Sequence, residues 1–354
     1  MAETPLLESY MCSLSFHTYI VIQVFDRRTI AVTARGRYWP TTQCGLDCAS
    51  AKRHPPQIPM SHSRAVVLMI VVTLLWSMAG VVTRHLDAAA SFEVTFWRSF
   101  FNALSLIIAL TILRGPSLWR TVWQSPRVIW FAGLCWAIMF TAFMVALTLT
   151  TVANVLVTMA IGPLLTALMA RMFLHHRLPL RAWTAIGVAG AGIVWMFGME
   201  ASQGGSFTGS LIALLIPLAA SINFVIMQHV SHDKEGAITQ DMLPAILIGA
   251  ALSALVSLPL AWPLQANAHD VRLLALLGVA QLALPCLLMV RLTRQLSATE
   301  ISLLGLLEVI FGVTWAWLGA GESPSANTLI GGGLVLGALT ENELLALRER
   351  NADR

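Results

Sequence analysis

Charge is what this sequence has least of. Only 11% of its 354 residues are Asp, Glu, Lys or Arg, whereas 57% are hydrophobic. Soluble globular chains carry about 25% charged and roughly 45–50% apolar residues. So few charges cannot cover a water-facing surface, so the bilayer must act as solvent for much of the chain. Other absences narrow the class further. No GxSxG, HExxH or phosphate-loop pattern occurs, which removes the usual hydrolase, metalloprotease and ATP-driven chemistries. Any pumping must therefore draw on an ion or substrate gradient. His175-His176 is a single pair without the further His clusters of a membrane di-iron site. Of the five cysteines, Cys44 and Cys48 have no second pair at zinc spacing, and Cys12 stands alone. Cys135 and Cys286 lie in apolar runs and read as small packing residues. Neither a disulfide framework nor a metal site is expected, and no cofactor is implied.

Residues 1–59 are polar and mixed, and their most apolar piece, Ile20–Phe25, is too short to span a bilayer or to form a secretory h-region. Met60-Ser61-His62-Ser63-Arg64 then leads directly into a long apolar run. The expectation is that translation starts at Met60 and that 1–59 is an extension absent from the mature protein.

From Ala65 onward, apolar runs recur at 65–83, 92–113, 128–148, 151–174, 182–199, 209–229, 242–262, 271–290, 298–320 and 326–342. Each is long enough to cross about 30 Å of hydrocarbon as a helix. With ten spans the termini share a side. That side carries thirteen Lys and Arg between Arg64 and Arg354, against Arg84 and Arg272 on the other. The net charge of +4 thus sits in short gaps between spans. It reads as membrane orientation with both termini cytoplasmic, not as affinity for nucleic acid.

Two stretches resemble each other at an offset of 146 residues, from Thr148 and from Arg291, placing Ala160-Ile161-Gly162-Pro163 on Leu306-Leu307-Glu308-Val309. Gly187 and Gly190-Ala191-Gly192 likewise face Gly331-Gly332-Gly333 and Gly337. Five spans per unit is an odd number, so the second unit enters the membrane upside down, as in many secondary transporters. The expected fold is an all-α integral membrane protein of ten helices in two inverted five-helix repeats. The boundaries are 60–200 and 201–342, with a cytoplasmic tail at 343–354.

An ordered set of motifs now resembles a family. Leu75-Trp76-Ser77 lies in the first span, Phe96-Trp97-Arg98 in the second and Ile161-Gly162-Pro163 in the fourth. Leu307-Glu308 lies in the ninth, and Gly321-Glu322 follows it. Together they resemble the EamA-type transporters of the drug/metabolite transporter superfamily. The resemblance covers 65–342 and implies ten helices, two inverted repeats, cytoplasmic ends and export or exchange of small metabolites. His176 stands where the family usually has Glu, and Val309 where it usually has Pro. These departures bear on the substrate, not on the fold.

Charged groups inside a membrane are rare and are functional candidates by default. Glu308 lies near the middle of the ninth span, where a carboxylate must be paired, hydrated or protonated. It suits proton coupling or a cationic substrate, and equally a protonated hydrogen bond between helices. Arg98, about a turn and a half or two into the second span, could take a substrate carboxylate, pair with Glu308 or act as a snorkelled anchor. Glu93 reads as interfacial. Asn154, Asn223, Gln228 and Gln281 could line a polar cavity or join helices, and Ser221 accompanies Asn223 at mid-span. Trp76, near Ser77 and Gly80, could wall such a cavity. Trp119, Trp123 and Trp262 read as interface anchors. Pro163, Pro217 and Pro285 predict kinks, and Gly331-Gly332-Gly333 permits close helix approach. His229, His232 and Asp233 read as a solvated linker.

The expected function is that of a secondary transporter in the cell inner membrane. It would export or exchange a small metabolite (an amino acid, nucleobase or drug-like compound) by alternating access, with proton coupling through Glu308. The alternative is a helix-bundle subunit or scaffold without transport. A membrane enzyme would need clustered carboxylates or histidines, which the sequence lacks. The expected partners are the lipid bilayer, the small-molecule substrate and protons. A homodimer is left open.

Overall fold

In the computed structural model, residues 61–115, 117–173, 178–202, 207–232, 243–292, 295–296 and 298–352 are described. The expected N-terminal extension, His175-His176 and Asp233 lie outside them, as do the side chains of Gln228, His229 and His232. The helices, in chain order, are α1 (His62–Thr83), α2 (Ser91–Arg114), α3 (Ser117–Trp123), α4 (Arg127–Leu149), α5 (Val152–Ala160), α6 (Gly162–Phe173) and α7 (Leu180–Ser202). They continue as α8 (Phe207–His232), α9 (Leu243–Ala261), α10 (Ala268–Leu276), a π-helical segment (Leu277–Ala283), α11 (Leu284–Leu292), α12 (Ala298–Ala320) and α13 (Ala326–Ala352). Among the described residues, ten helices or collinear helix pairs are long and apolar enough to cross a membrane.

Residues 109–119 group apart from the rest. They hold the end of α2, closed where Gly115, at φ +70°, donates its N–H to the Thr111 carbonyl. The other unit, 60–108 and 120–354, forms the helical bundle.

Prolines break helices where they remove a donor and crowd the carbonyl four residues earlier. The fourth span is accordingly divided at Ile161, between α5 and α6, just before Pro163. In the eighth span the region of Pro285 is relieved differently, by a π-helical turn that ends at Ala283. Pro217 lies within α8 without dividing it. The tenth span runs past its expected end at 342, because Glu341-Asn342-Glu343-Leu344-Leu345-Ala346-Leu347 is polar enough to stop a hydropathy run yet mostly built of good helix formers.

Helix packing carries the inverted repeat. α12 packs on α1 as α5 and α6 pack on α8, and α4 packs on α8 as the π-segment and α11 pack on α1. Exchanging the first five spans for the last five turns each pair into the other. α7 packs on α13 and α5 on α12, pairs that this exchange maps onto themselves. At the first of these, Gly192 and Gly331 let two backbones meet: a Cβ on Gly331 would lie 2.6 Å from the Gly192 carbonyl oxygen. The core along this seam includes Leu147, Val155, Leu156, Met196, Val335 and Leu339. Outward-facing Val194, Leu255, Val256 and Leu318 are each more than half exposed, as lipid-facing residues of a bundle are.

Candidate functional site

α2 turns Val94, Thr95, Arg98, Ser99, Asn102, Ala103 and Leu106 into the bundle, at the spacing of one helical face, and all are buried. Arg98 is 2% exposed. Its Nε and Nη2 both donate to Gln281 Oε1, at 3.2 and 3.0 Å, and Gln281 Nε2 donates to the Trp76 carbonyl at 3.1 Å. The Phe143 ring of α4 lies 5.3 Å from the guanidinium carbon, within cation–π reach. Arg98 Nη1 has no hydrogen-bond partner.

The π-helical segment makes this arrangement. The extra residue in its turn redirects the side chains that follow, and Gln281 meets α1 and α2 at once. Gly278 brings the segment against α2: a Cβ there would lie 2.7 Å from the Arg98 carbonyl oxygen and 2.9 Å from the Asn102 nitrogen. Only glycine fits between two backbones at that separation.

Glu308 of α12 interacts electrostatically with Arg98. No hydrogen bond joins them, since Nε and Nη2 are used by Gln281 and Nη1 is free. Residues 301–308 are all partly exposed. Eight consecutive residues point in every direction around a helix, so open space reaches the bundle-facing side of α12 as well as its outer side. The site is thus a closed cation on α2 within electrostatic range of a partly exposed glutamate on α12. One comes from the first repeat and the other from the second.

The structure joins Arg98, Gln281 and the backbone of Trp76 by hydrogen bonds and sets Glu308 within electrostatic range of Arg98. The half-buried Trp76 indole takes no part in the hydrogen bonds. Asn154 lies elsewhere: its Nδ2 donates to Thr150 Oγ1 at 3.3 Å and its Oδ1 accepts from Thr328 Oγ1 at 2.9 Å, joining α5 to α13. Asn223 is buried on α8 with its Oδ1 unpartnered. Ser221 donates to the Pro217 carbonyl at 2.6 Å and accepts from Thr166 Oγ1 at 3.1 Å.

A second polar cluster, which sequence reasoning does not find, fastens the end of the bundle that carries residues 84–90. Arg84 donates from Nε to Glu322 Oε2 at 2.6 Å, from Nη1 to the Leu147 carbonyl at 2.7 Å and from Nη2 to the Thr150 carbonyl at 2.8 Å. Glu322 Oε1 accepts from the Val152 N–H at 2.6 Å. Gly321, at φ +66°, turns the chain so that the Glu322 N–H closes back on the Ala316 carbonyl. Asp270, fully buried, accepts the N–H groups of Asp87, Ala88 and Ala89 at 2.8, 2.9 and 3.0 Å. Glu93 is not the interfacial residue expected: it is fully buried and accepts from the N–H groups of Gln265 and Ala266 and from Trp97 Nε1. Sequence shows these charges near span ends but not their partners, which, Trp97 apart, lie about 60 to 240 positions away. Asp87, His269 and Asp270 place ligand-type atoms within 4.8 Å of one another. With three N–H groups on Asp270, they act as part of the loop clamp.

Known proteins share this architecture. Residues 63–198 and 207–340 each match the EamA-like transporter family. The chain is 25% identical over 260 residues to the S-adenosylmethionine uptake transporter of Rickettsia conorii, covering 72% of this chain and 84% of that one. It is 25% identical over 278 residues to the pseudopaline exporter CntI of Pseudomonas aeruginosa, covering 77% of this chain and 93% of that one. A solved crystal structure with 21% sequence identity matches its fold at a TM-score of 0.54, covering 81% of this chain and 99% of that one.

Proposed function

The chain belongs to the EamA-like transporter family, and from that premise we propose that it is a secondary transporter of the cytoplasmic membrane. It exports or exchanges a small metabolite that carries a carboxylate, by alternating access between its two repeats. Both termini lie in the cytoplasm, on the side where the positive charges concentrate.

One observation carries the substrate reading: Arg98 is buried in the bundle with Nη1 free, within electrostatic range of a carboxylate contributed by the other repeat. A buried cation is stable only when paired or hydrogen-bonded, and two of its three nitrogens are held by a neutral amide. The third is a donor awaiting an acceptor, and a substrate carboxylate is the group that completes it. Glu308 then serves as counter-charge to a substrate amine, or as the group through which protons couple to transport. The relatives agree with that chemistry, since S-adenosylmethionine bears a carboxylate next to an amine. They include both an uptake protein and an exporter, so direction is a matter for measurement.

The test uses proteoliposomes of the full chain and labelled S-adenosylmethionine, amino acids, nucleobases and cationic drugs. A carboxylate-bearing compound carried by wild type, with transport reduced at least about tenfold in Arg98→Lys, supports the reading. Glu308→Gln is expected to abolish acceleration by a pH gradient. Transport of cations alone, or none from a protein verified as folded, overturns it.

A further inference from the structure

Asn102 follows Arg98 by one helical turn on the buried face of α2 and is fully buried. Both its Oδ1 and its Nδ2 lack hydrogen-bond partners. A primary amide closed off from water with neither group satisfied bears the desolvation cost of both groups with nothing to offset it. An aliphatic residue of similar size would avoid that penalty. Residues four apart on a helix are neighbours, so Asn102, with both amide groups free, lies one turn from Arg98, whose Nη1 is also free. Gly278 presses the π-helical segment against the backbone between these two residues. The wall that holds Arg98 through Gln281 therefore also bounds Asn102.

The donor and acceptor inventory of this wall is specific. Arg98 Nη1 and Asn102 Nδ2 are two donors, suited to the two oxygens of one carboxylate. Asn102 Oδ1 is an acceptor on the same side chain, and Glu308, within electrostatic range of Arg98, is a second acceptor. A ligand that satisfies all four must place an amine N–H adjacent to its carboxylate. Resting on the reading of Arg98 as a carboxylate site, we propose that Asn102 is the specificity-determining residue of that site. It recognises the amine-next-to-carboxylate headgroup of α-amino acids and their derivatives, and it discriminates against simple carboxylates and simple amines.

The experiment compares wild type, Asn102→Ala and Asn102→Asp in proteoliposomes. The probes are S-adenosylmethionine and L-methionine, with decarboxylated S-adenosylmethionine, L-methioninamide and 4-(methylthio)butanoate as analogues lacking one group. Wild type is expected to carry at least one intact probe and to carry its analogues at least about tenfold less well. In Asn102→Ala the KM for that probe rises about ten- to hundredfold, the effect of losing hydrogen bonds to charged groups, and its advantage over the analogues shrinks, because each analogue keeps only one of the two groups that Asn102 meets. In Asn102→Asp the new carboxylate repels the substrate's own and abolishes transport. Thermal unfolding of each variant in detergent identifies a folding defect, and Asn102→Leu, of similar size and without either polar group, then replaces Asn102→Ala. An Asn102→Ala protein that carries intact probes and analogues as wild type does overturns the role of Asn102 and leaves the transporter reading standing. A folded wild-type protein that carries none of the probes overturns both.

Discussion

A guanidinium inside an apolar bundle is tolerated only while its hydrogen bonds and charge are met, and at Arg98 much of that duty falls on one neutral side chain. Gln281 Oε1 accepts two of the guanidinium N–H groups, and its Nε2 is anchored on the Trp76 carbonyl. Gln281→Leu removes the acceptor and leaves two more buried donors without partners. The loss of a hydrogen bond to a charged group is worth about 1.5–3 kcal/mol, so a destabilisation of that size is expected, read as a lower unfolding midpoint in detergent. Gln281→Glu gives Arg98 a charged acceptor and should restore much of the midpoint while slowing transport, because a guanidinium already neutralised holds a substrate carboxylate less well. Unfolding curves identical for wild type and Gln281→Leu would mean that water takes over the acceptor's place. Arg98 and Glu308 stand out in the sequence, since charges inside apolar runs are few. That Gln281 is the residue holding Arg98 is not visible there. A lone amide in a hydrophobic stretch looks the same whether it faces a cation or joins two helices.

Helix identity in this chain follows from hydropathy, and helix proximity follows from where the glycines are. The ten spans are legible to within a few residues, because length and apolarity alone decide which segments cross a bilayer. Their local irregularities are legible only in part. Pro163 and Pro285 each signal a break, but the sequence does not say that one yields a divided helix and the other a π-helical turn. Glycines divide the same way. Gly278 abuts the backbone of α2, whereas a Cβ on Gly333 would meet nothing within 4 Å. Gly278→Ala is therefore expected to push the π-segment from α2 and to cost about 1–3 kcal/mol, as overpacking does, with loss of transport as Gln281 moves off Arg98. Gly333→Ala, in the same glycine-rich run as Gly331, should leave stability unchanged or slightly raised through helix propensity. Equal midpoints for the two variants would show that the π-segment can shift without consequence.

At the scale of the whole molecule, two repeats that exchange their contacts across an axis can rock only if one end of the bundle lets go. The end bearing residues 84–90 is fastened by charged groups whose partners are mainly backbone atoms, and this sets it apart from an ordinary surface ion pair. Arg84 reaches the Leu147 and Thr150 carbonyls as well as Glu322, and Glu322 reaches the Val152 N–H as well as Arg84. One cluster therefore joins the end of α1, the turn between α4 and α5, and the turn between α12 and α13. The alternating access proposed above requires this cluster to break when the site opens towards that end. An ion pair that acted by charge alone would survive reversal. Here the double variant Arg84→Glu with Glu322→Arg places a carboxylate against two carbonyl oxygens and a guanidinium against an N–H, so reversal should not rescue either single variant. The expected outcome is that Arg84→Met, Glu322→Gln and the reversed pair all open this end more often. The readout is a cysteine at Ser77, which is 1% exposed on α1. Its labelling by a thiol reagent should be at least about tenfold faster in the variants than in an otherwise wild-type protein, since loss of one partly buried charged hydrogen bond shifts a two-state balance by about that factor. Reversal that restores the wild-type labelling rate would reduce the cluster to a simple pair of charges and would move the gate elsewhere in the bundle.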